Sequence, residues 1–194
     1  MTIVPRWEWR TFGDDFGEAE RKLAAIAPER VHESDEIYLL SVASDASVKV
    51  RDALMDVKLL EAVDGDGLEQ WKPVLKAEFP LAADGVRGVF DALAIPAPVL
   101  TREAYTADQL VDELVDPDPR LRALEVHKHR ERFTVDGAMA ELSEARVAEG
   151  ARRTIAIESE DASLVVAAVR KLGLPLRPNV CLARGLKALV GFGA

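Results

Sequence analysis

The sequence predicts an α+β fold in which a closed antiparallel β-barrel is flanked by helices, and three observations carry that expectation. The stretch EVHKHRERF alternates Lys128, Arg130 and Arg132 with Glu125, His127, His129 and Glu131. In an extended chain this places three cations on one face and mixed polar groups on the other, so neither face is apolar. Matching polar rows recur elsewhere: Arg6, Glu8 and Arg10; Lys49 and Arg51; Lys58; Glu141; Glu158. A closed barrel accommodates all of them, because its inner face can be wet and charged while its outer face packs against helices.

The elements follow in order. RWEWRTF sets Trp7, Trp9 and Thr11 against Arg6, Glu8 and Arg10, a strand with both tryptophans in the core. DDFGEAERKLAAIAP, with early acidic residues and a terminating Pro28, reads as a short helix over one mouth or side of the sheet. RVHESDEIYLLSV and ASVKVRDALMDVKLLEAV supply three more extended stretches, the second turning tightly near Asp52 and Ala53. GLEQWKPVLKAEFPL continues in extended or irregular form, limited by Pro73 and Pro80. DGVRGVFDALAIP and TADQLVDELVDP have helical spacing behind Asp or Thr caps. The cationic strand comes next, then the turn VDG, the strand AMAELSEARV and the shorter run RRTIAIESE. DASLVVAAVRKLGLP is an amphipathic helix capped by Asp161 and stopped by Gly173, and VCLARGLKALVG is a final short helix.

Composition narrows the function. With 194 residues, 48% apolar, residues 1–194 suit one domain able to bury its own core. No apolar run approaches membrane-spanning length and the N-terminus lacks a signal-peptide profile, so a cytoplasmic protein without a membrane partner is expected. The lone Cys181 excludes an internal disulfide and gives no structural zinc site. A net charge of −9 argues against a nucleic-acid partner, whose phosphates demand a basic surface. Cations gathered on the strands of an acidic protein therefore need a local reason. Converging in a lumen they would repel one another unless a highly charged anion lay among them, with neighbouring carboxylates reaching it through a divalent metal. A triphosphate meets that description.

The order RWEWRTF, VKVRD, MDVK, VHKHRERF, MAELSE, IAIESE and ARGLKAL resembles the CYTH family, which includes class IV adenylyl cyclases and thiamine triphosphatases and is also called the triphosphate tunnel metalloenzymes. The resemblance spans almost the whole chain. It implies an eight-stranded antiparallel barrel in which basic residues hold a triphosphate and glutamates hold Mg²⁺ or Mn²⁺. Carried over residue by residue, it implies substrate binding by Arg10, Lys49, Arg51, Lys58, Lys128, Arg130, Arg132 and Lys187. Glu8, Glu141 and Glu158 become the catalytic metal ligands. The family's opening motif E-x-E-x-K is altered: Arg10 and Glu8 match, but Arg6 stands where the first glutamate belongs. The carboxylate expected four residues beyond Glu141 is Ala145, and Glu160 reads either as a further ligand or as a helix-start residue.

The expected function is metal-assisted hydrolysis of a triphosphate-containing small molecule or polyphosphate. The alternatives are a non-catalytic polyphosphate or nucleotide-binding protein, which would tolerate the altered opening motif, and a class IV adenylyl cyclase, which would need an adenine pocket. His127 and His129 belong to the outer face, and Cys181 to packing. The aliphatic helix SLVVAAVRKLGL could serve a homodimer as well as a core.

Overall fold

The computed structural model describes residues 4–193. Eight strands close into one antiparallel barrel: β1 (Arg6–Gly13), β2 (Arg30–Ser41), β3 (Ser47–Arg51), β4 (Leu54–Val63), β5 (Glu69–Glu78), β8 (Leu121–Val135), β9 (Ala138–Val147) and β10 (Gly150–Ser159). The two remaining strands, β6 (Leu81–Ala82) and β7 (Ala104–Tyr105), form a separate ribbon. Around the barrel the order is β1, β10, β9, β8, β2, β3, β4, β5, and β5 returns to β1. Closure leaves no free edge on the sheet. The helices are α1 (Glu18–Ala24), α2 (Ala83–Ala92), α3 (Ala107–Leu110), α4 (Ala162–Leu172) and α5 (Leu182–Val190), with a π-helical turn at Val111–Val115 continuing α3.

Local chemistry sets the punctuation. Asp52 and Ala53 turn β3 into β4 with φ of 51° and 56°, a left-handed pair made without glycine. Asp136 and Gly137 turn β8 into β9 in the same way. Thr106 and Gln109 form a reciprocal capping box on α3, while Asp161 caps α4 and left-handed Gly173 ends it. β5 runs straight through Pro73, because the pairing slips there: Lys58 faces Pro73 while Val57 faces Leu75, so the missing N–H falls at an irregularity.

Three apolar clusters divide the work. On one outer side, Val48, Val50, Met55 and Val57 pack against Val86, Val89 and Phe90 of α2. On the other, Trp9, Ile155 and Ile157 pack against Leu23 of α1 and Val165, Ala168 and Leu172 of α4, with Trp7 half-buried beside them. The apolar face of α4 is thus spent on the barrel. The third cluster lies inside. Tyr38, Leu40, Leu124, Val126, Ala145 and Val147 share the inner face and meet Cys181, Ala183 and Leu186 at the start of α5 and within it. Gly185 permits this seat: a Cβ there would lie 2.1 Å from the Phe12 ring. Among the described residues no helix is long and apolar enough to cross a membrane.

Candidate active site

The half of the lumen that α5 leaves open is a cavity of about 260 Å³. Alternation along each strand decides what reaches it. On β8 the inner residues change from Leu124 and Val126 to Lys128, Arg130 and Arg132, while His127 and His129 point out to Asp35 and Glu33 on the surface. Lys128 and Arg130 are only 3% and 4% exposed, which excludes a solvated outer face for this row. β1 contributes Arg6, Glu8 and Arg10; β3 Lys49 and Arg51; β4 Asp56 and Lys58; β9 Glu141; β10 Glu158.

Ten of the eleven residues singled out in the sequence therefore line one cavity: Glu8, Arg10, Lys49, Arg51, Lys58, Lys128, Arg130, Arg132, Glu141 and Glu158. Lys187 is the exception. Its ammonium donates to the Ser44 carbonyl at 2.7 Å and to Asp45 at 2.8 Å, so it braces α5 against the loop before β3 and does not line the cavity. Ala145, where a further carboxylate was expected, is buried in the inner apolar cluster, and Glu160 is exposed beyond the end of β10.

Sequence reasoning missed Glu36. Its side chain is wholly buried and gathers Lys49 at 3.2 Å, Arg130 at 3.3 Å and Arg51 at 3.5 Å, and it accepts hydrogen bonds from Tyr38 at 2.6 Å and Ser34 at 3.0 Å. Burial acts to raise this carboxyl, but Lys49 and the Tyr38 hydroxyl outweigh it and bring the pKa down to about 2. Burial also lowers Lys49 to about 8, only partly opposed by Glu36. The available signal was the alternation of Ser34, Glu36 and Tyr38 in β2, opposite the cations of β3 and β8.

The carboxylates nearer the α5 side follow a second pattern. Glu69, Glu8 and Glu158 stand directly abreast on β5, β1 and β10. Each has an arginine: Arg184 of α5 pairs with Glu69, Arg10 Nε donates to Glu8 at 2.8 Å, and Arg6 lies 3.7 Å from Glu158. Burial and the neighbouring Glu8 charge raise the Glu158 pKa, whereas Arg10 overcomes burial and keeps Glu8 low. Glu141 accepts from Lys128 at 3.0 Å and from Ser143 at 3.1 Å and is held well below the carboxylate range, since Lys128 and Arg10 outweigh its burial.

Among the described residues, no three His, Cys, Asp or Glu side chains form a ready metal cluster. A dication fits nonetheless. Mg²⁺ is typically held by one or two carboxylates with the remaining positions filled by water and phosphate, and the repelling Glu8 and Glu158 supply such a pair. Among the described residues the loose, half-exposed Arg6 makes the one ion pair with Glu158, and the charges of Lys58 and Arg10 also bear on it.

Eight cationic and five carboxylate side chains line the cavity, and counting Glu36 still leaves the cations two ahead. Lys58 has no ion-pair partner among the described residues, and the buried Arg130 Nε has no hydrogen-bond acceptor. The wall thus carries uncompensated positive charge and an unused donor.

A closed eight-stranded antiparallel barrel with flanking helices and a cation-lined lumen is the CYTH-type fold. No family model matches the sequence. Among solved structures, the chain is similar to HpAC1 from Hippeastrum, described as an adenylyl cyclase candidate with a dominant triphosphatase activity, at 13% identity over 96% of both chains with a TM-score of 0.52. A candidate adenylate cyclase from Bacillus halodurans matches at 11% identity over 93% of this chain and 94% of its own, with a TM-score of 0.49. At these identities the likeness to HpAC1 establishes the fold, and function rests on the cavity.

Proposed function

We propose that this chain binds a linear triphosphate-bearing small molecule in the barrel and hydrolyses a phosphoanhydride bond with Mg²⁺ or Mn²⁺. The observation that carries the reading is the excess of cations on the inner wall, with Lys58 unpaired and Arg130 Nε unsatisfied. The activity described for HpAC1 agrees with it. The cytoplasmic location expected from the sequence belongs to the same proposal.

The chain's own residues bind and orient the substrate. Arg10, Lys49, Lys58, Lys128 and Arg130 neutralise the phosphate chain, and Arg51 and Arg132 receive it at the mouth, through charge-assisted hydrogen bonds. Because Glu36 already holds Lys49, Arg51 and Arg130 in place, the site needs little rearrangement as the anion enters. Glu141 positions Lys128 and Arg132, its partners at 3.0 Å and 3.7 Å, and joins a metal site only where Lys128 transfers to phosphate. Glu8 and Glu158 would hold the dication, whose chemistry is Lewis-acid polarisation of a phosphoryl oxygen. Cys181 lines the cavity but burial pushes its thiol up to about 11, so it is not an activated nucleophile.

One observation favours a second reading, a non-catalytic polyphosphate or nucleotide binder: Arg6, a cation, is the residue at Glu158. A phosphate-release screen over tripolyphosphate, thiamine triphosphate, nucleoside triphosphates and long-chain polyphosphate, with Mg²⁺ and with Mn²⁺, separates the two. Release from any of them supports the hydrolase. Binding without release, followed by activity in Arg6→Glu, establishes the binder. Cyclic nucleotide in place of phosphate from ATP identifies a cyclase.

A further inference from the structure

We infer that the barrel mouth carries a second anion subsite, built from Arg30, His32, Arg51, Arg130 and Arg132, that takes a phosphoryl group of a linear polyphosphate beyond those held inside. This rests on the proposed function of the lumen. β2 continues past the lumen towards its N-terminal end, where Arg30 stands directly opposite Arg132 and His32 directly opposite Arg130. Directly opposed residues share a face, and like charges so placed destabilise a sheet unless something between them compensates.

Compensation here is partial: Glu141 lies 3.7 Å from Arg132 and Glu36 lies 3.3 Å from Arg130. Among the described residues no carboxylate pairs with Arg30, and the one carboxylate lining this second space, Asp52, is an exposed turn residue 3.7 Å from Arg51. The space is a separate cavity of about 180 Å³ at the mouth, and it shares Arg51, Arg130 and Arg132 with the lumen. Arg130 joins the two. It is 4% exposed, its Nη2 is used by Ser34 and Glu36, and its Nε has no acceptor. A buried guanidinium N–H without a partner, in a wall of cations, calls for an acceptor oxygen from outside the chain. An anion long enough to leave the lumen supplies that oxygen and relieves the opposed Arg30 and Arg132 pair.

The test compares tripolyphosphate with linear hexaphosphate by calorimetry, without metal and at fixed ionic strength. The longer chain should bind about tenfold more tightly, the lower end of what one added charge-assisted hydrogen bond contributes. In Arg30→Gln/His32→Gln the ratio of the two affinities should fall to near one, while Arg87→Gln, on the outer helix α2, should keep it. A ratio near one in the unaltered protein, or a tenfold ratio surviving in the double variant, overturns the subsite while leaving the lumen reading intact. Failure of tripolyphosphate to bind at all overturns the proposed function, and the subsite falls with it.

Discussion

The inner face of β8 has two regions that differ in kind. Leu124 and Val126 are packed by α5 into an apolar plug, whereas Lys128, Arg130 and Arg132, two residues apart on the same strand, form a charged wall. The plug resembles an ordinary core, in which burial of each aliphatic side chain contributes roughly 1.5–3 kcal/mol. The wall gains little from burial, because desolvating a charge costs several kcal/mol unless its partners are well placed. Its stability depends on Glu36 and Glu141, which compensate only part of the charge. One half of the lumen stabilises the fold, and the other keeps a charge excess that a ligand can satisfy.

The largest expected effect comes from breaking the wall. Glu36→Gln leaves Lys49, Arg51 and Arg130 without their shared carboxylate and should cost about 3–5 kcal/mol of stability, the range for removing one partner of a buried ion pair. Tripolyphosphate should recover part of the lost melting temperature. A variant as stable as the parent would show that water already screens this cluster. The same carboxylate predicts acid sensitivity: with a pKa lowered from 4.5 to about 2, its contribution is complete above about pH 4.5 and is lost as pH falls towards 2.

Arg130→Ala should weaken tripolyphosphate binding by about 1.5–3 kcal/mol, the range for hydrogen bonds to charged groups, whereas His129→Ala on the outer face should change it little. Equal losses from both would erase the distinction between inner and outer faces.

In the plug, Gly185→Ala forces a methyl group into the Phe12 ring, an overpacking cost of about 1–3 kcal/mol set against about 1 kcal/mol of gained helix propensity. Net destabilisation of about 1 kcal/mol is expected by chemical denaturation. A stabilised variant would mean that Phe12 yields freely and α5 is only loosely seated.

The smallest effect concerns pH. Lys49, lowered from 10.5 to about 8, penalises the empty fold most below pH 8, and that penalty is relieved as pH rises towards 10.5. An anion needs the protonated form. Affinity for tripolyphosphate should therefore decline above pH 8, by at most about tenfold per pH unit for one linked proton. An affinity constant from pH 7 to 9.5 would remove Lys49 from the site.

Alternation made most of this wall legible in the sequence, since rows such as Lys128, Arg130 and Arg132 declare a charged face before any fold is known. Three features were not legible. Glu36 sits in a run of mixed polar residues, His32 to Asp35, that shows no row of one charge, and only its neighbours on β3 and β8 reveal what it holds. Lys187 has the charge and position of a late binding residue, but the side of α5 it occupies depends on how that helix seats on the barrel, which local spacing does not encode. The row of Glu69, Glu8 and Glu158 arises from barrel closure, which joins residues far apart in the chain.

A phosphate chain should complete the charged half of the lumen. The most direct test is calorimetric titration of the metal-free protein with tripolyphosphate at low salt, in parallel with Arg10→Gln. Arg10 is 5% exposed and contacts Glu8 within the wall. One saturable site per chain, tighter than sulfate binding and weakened at least about tenfold in the variant, is the predicted result. No heat of binding, together with a melting temperature indifferent to millimolar tripolyphosphate, would contradict it and leave a barrel whose charged interior is merely solvated.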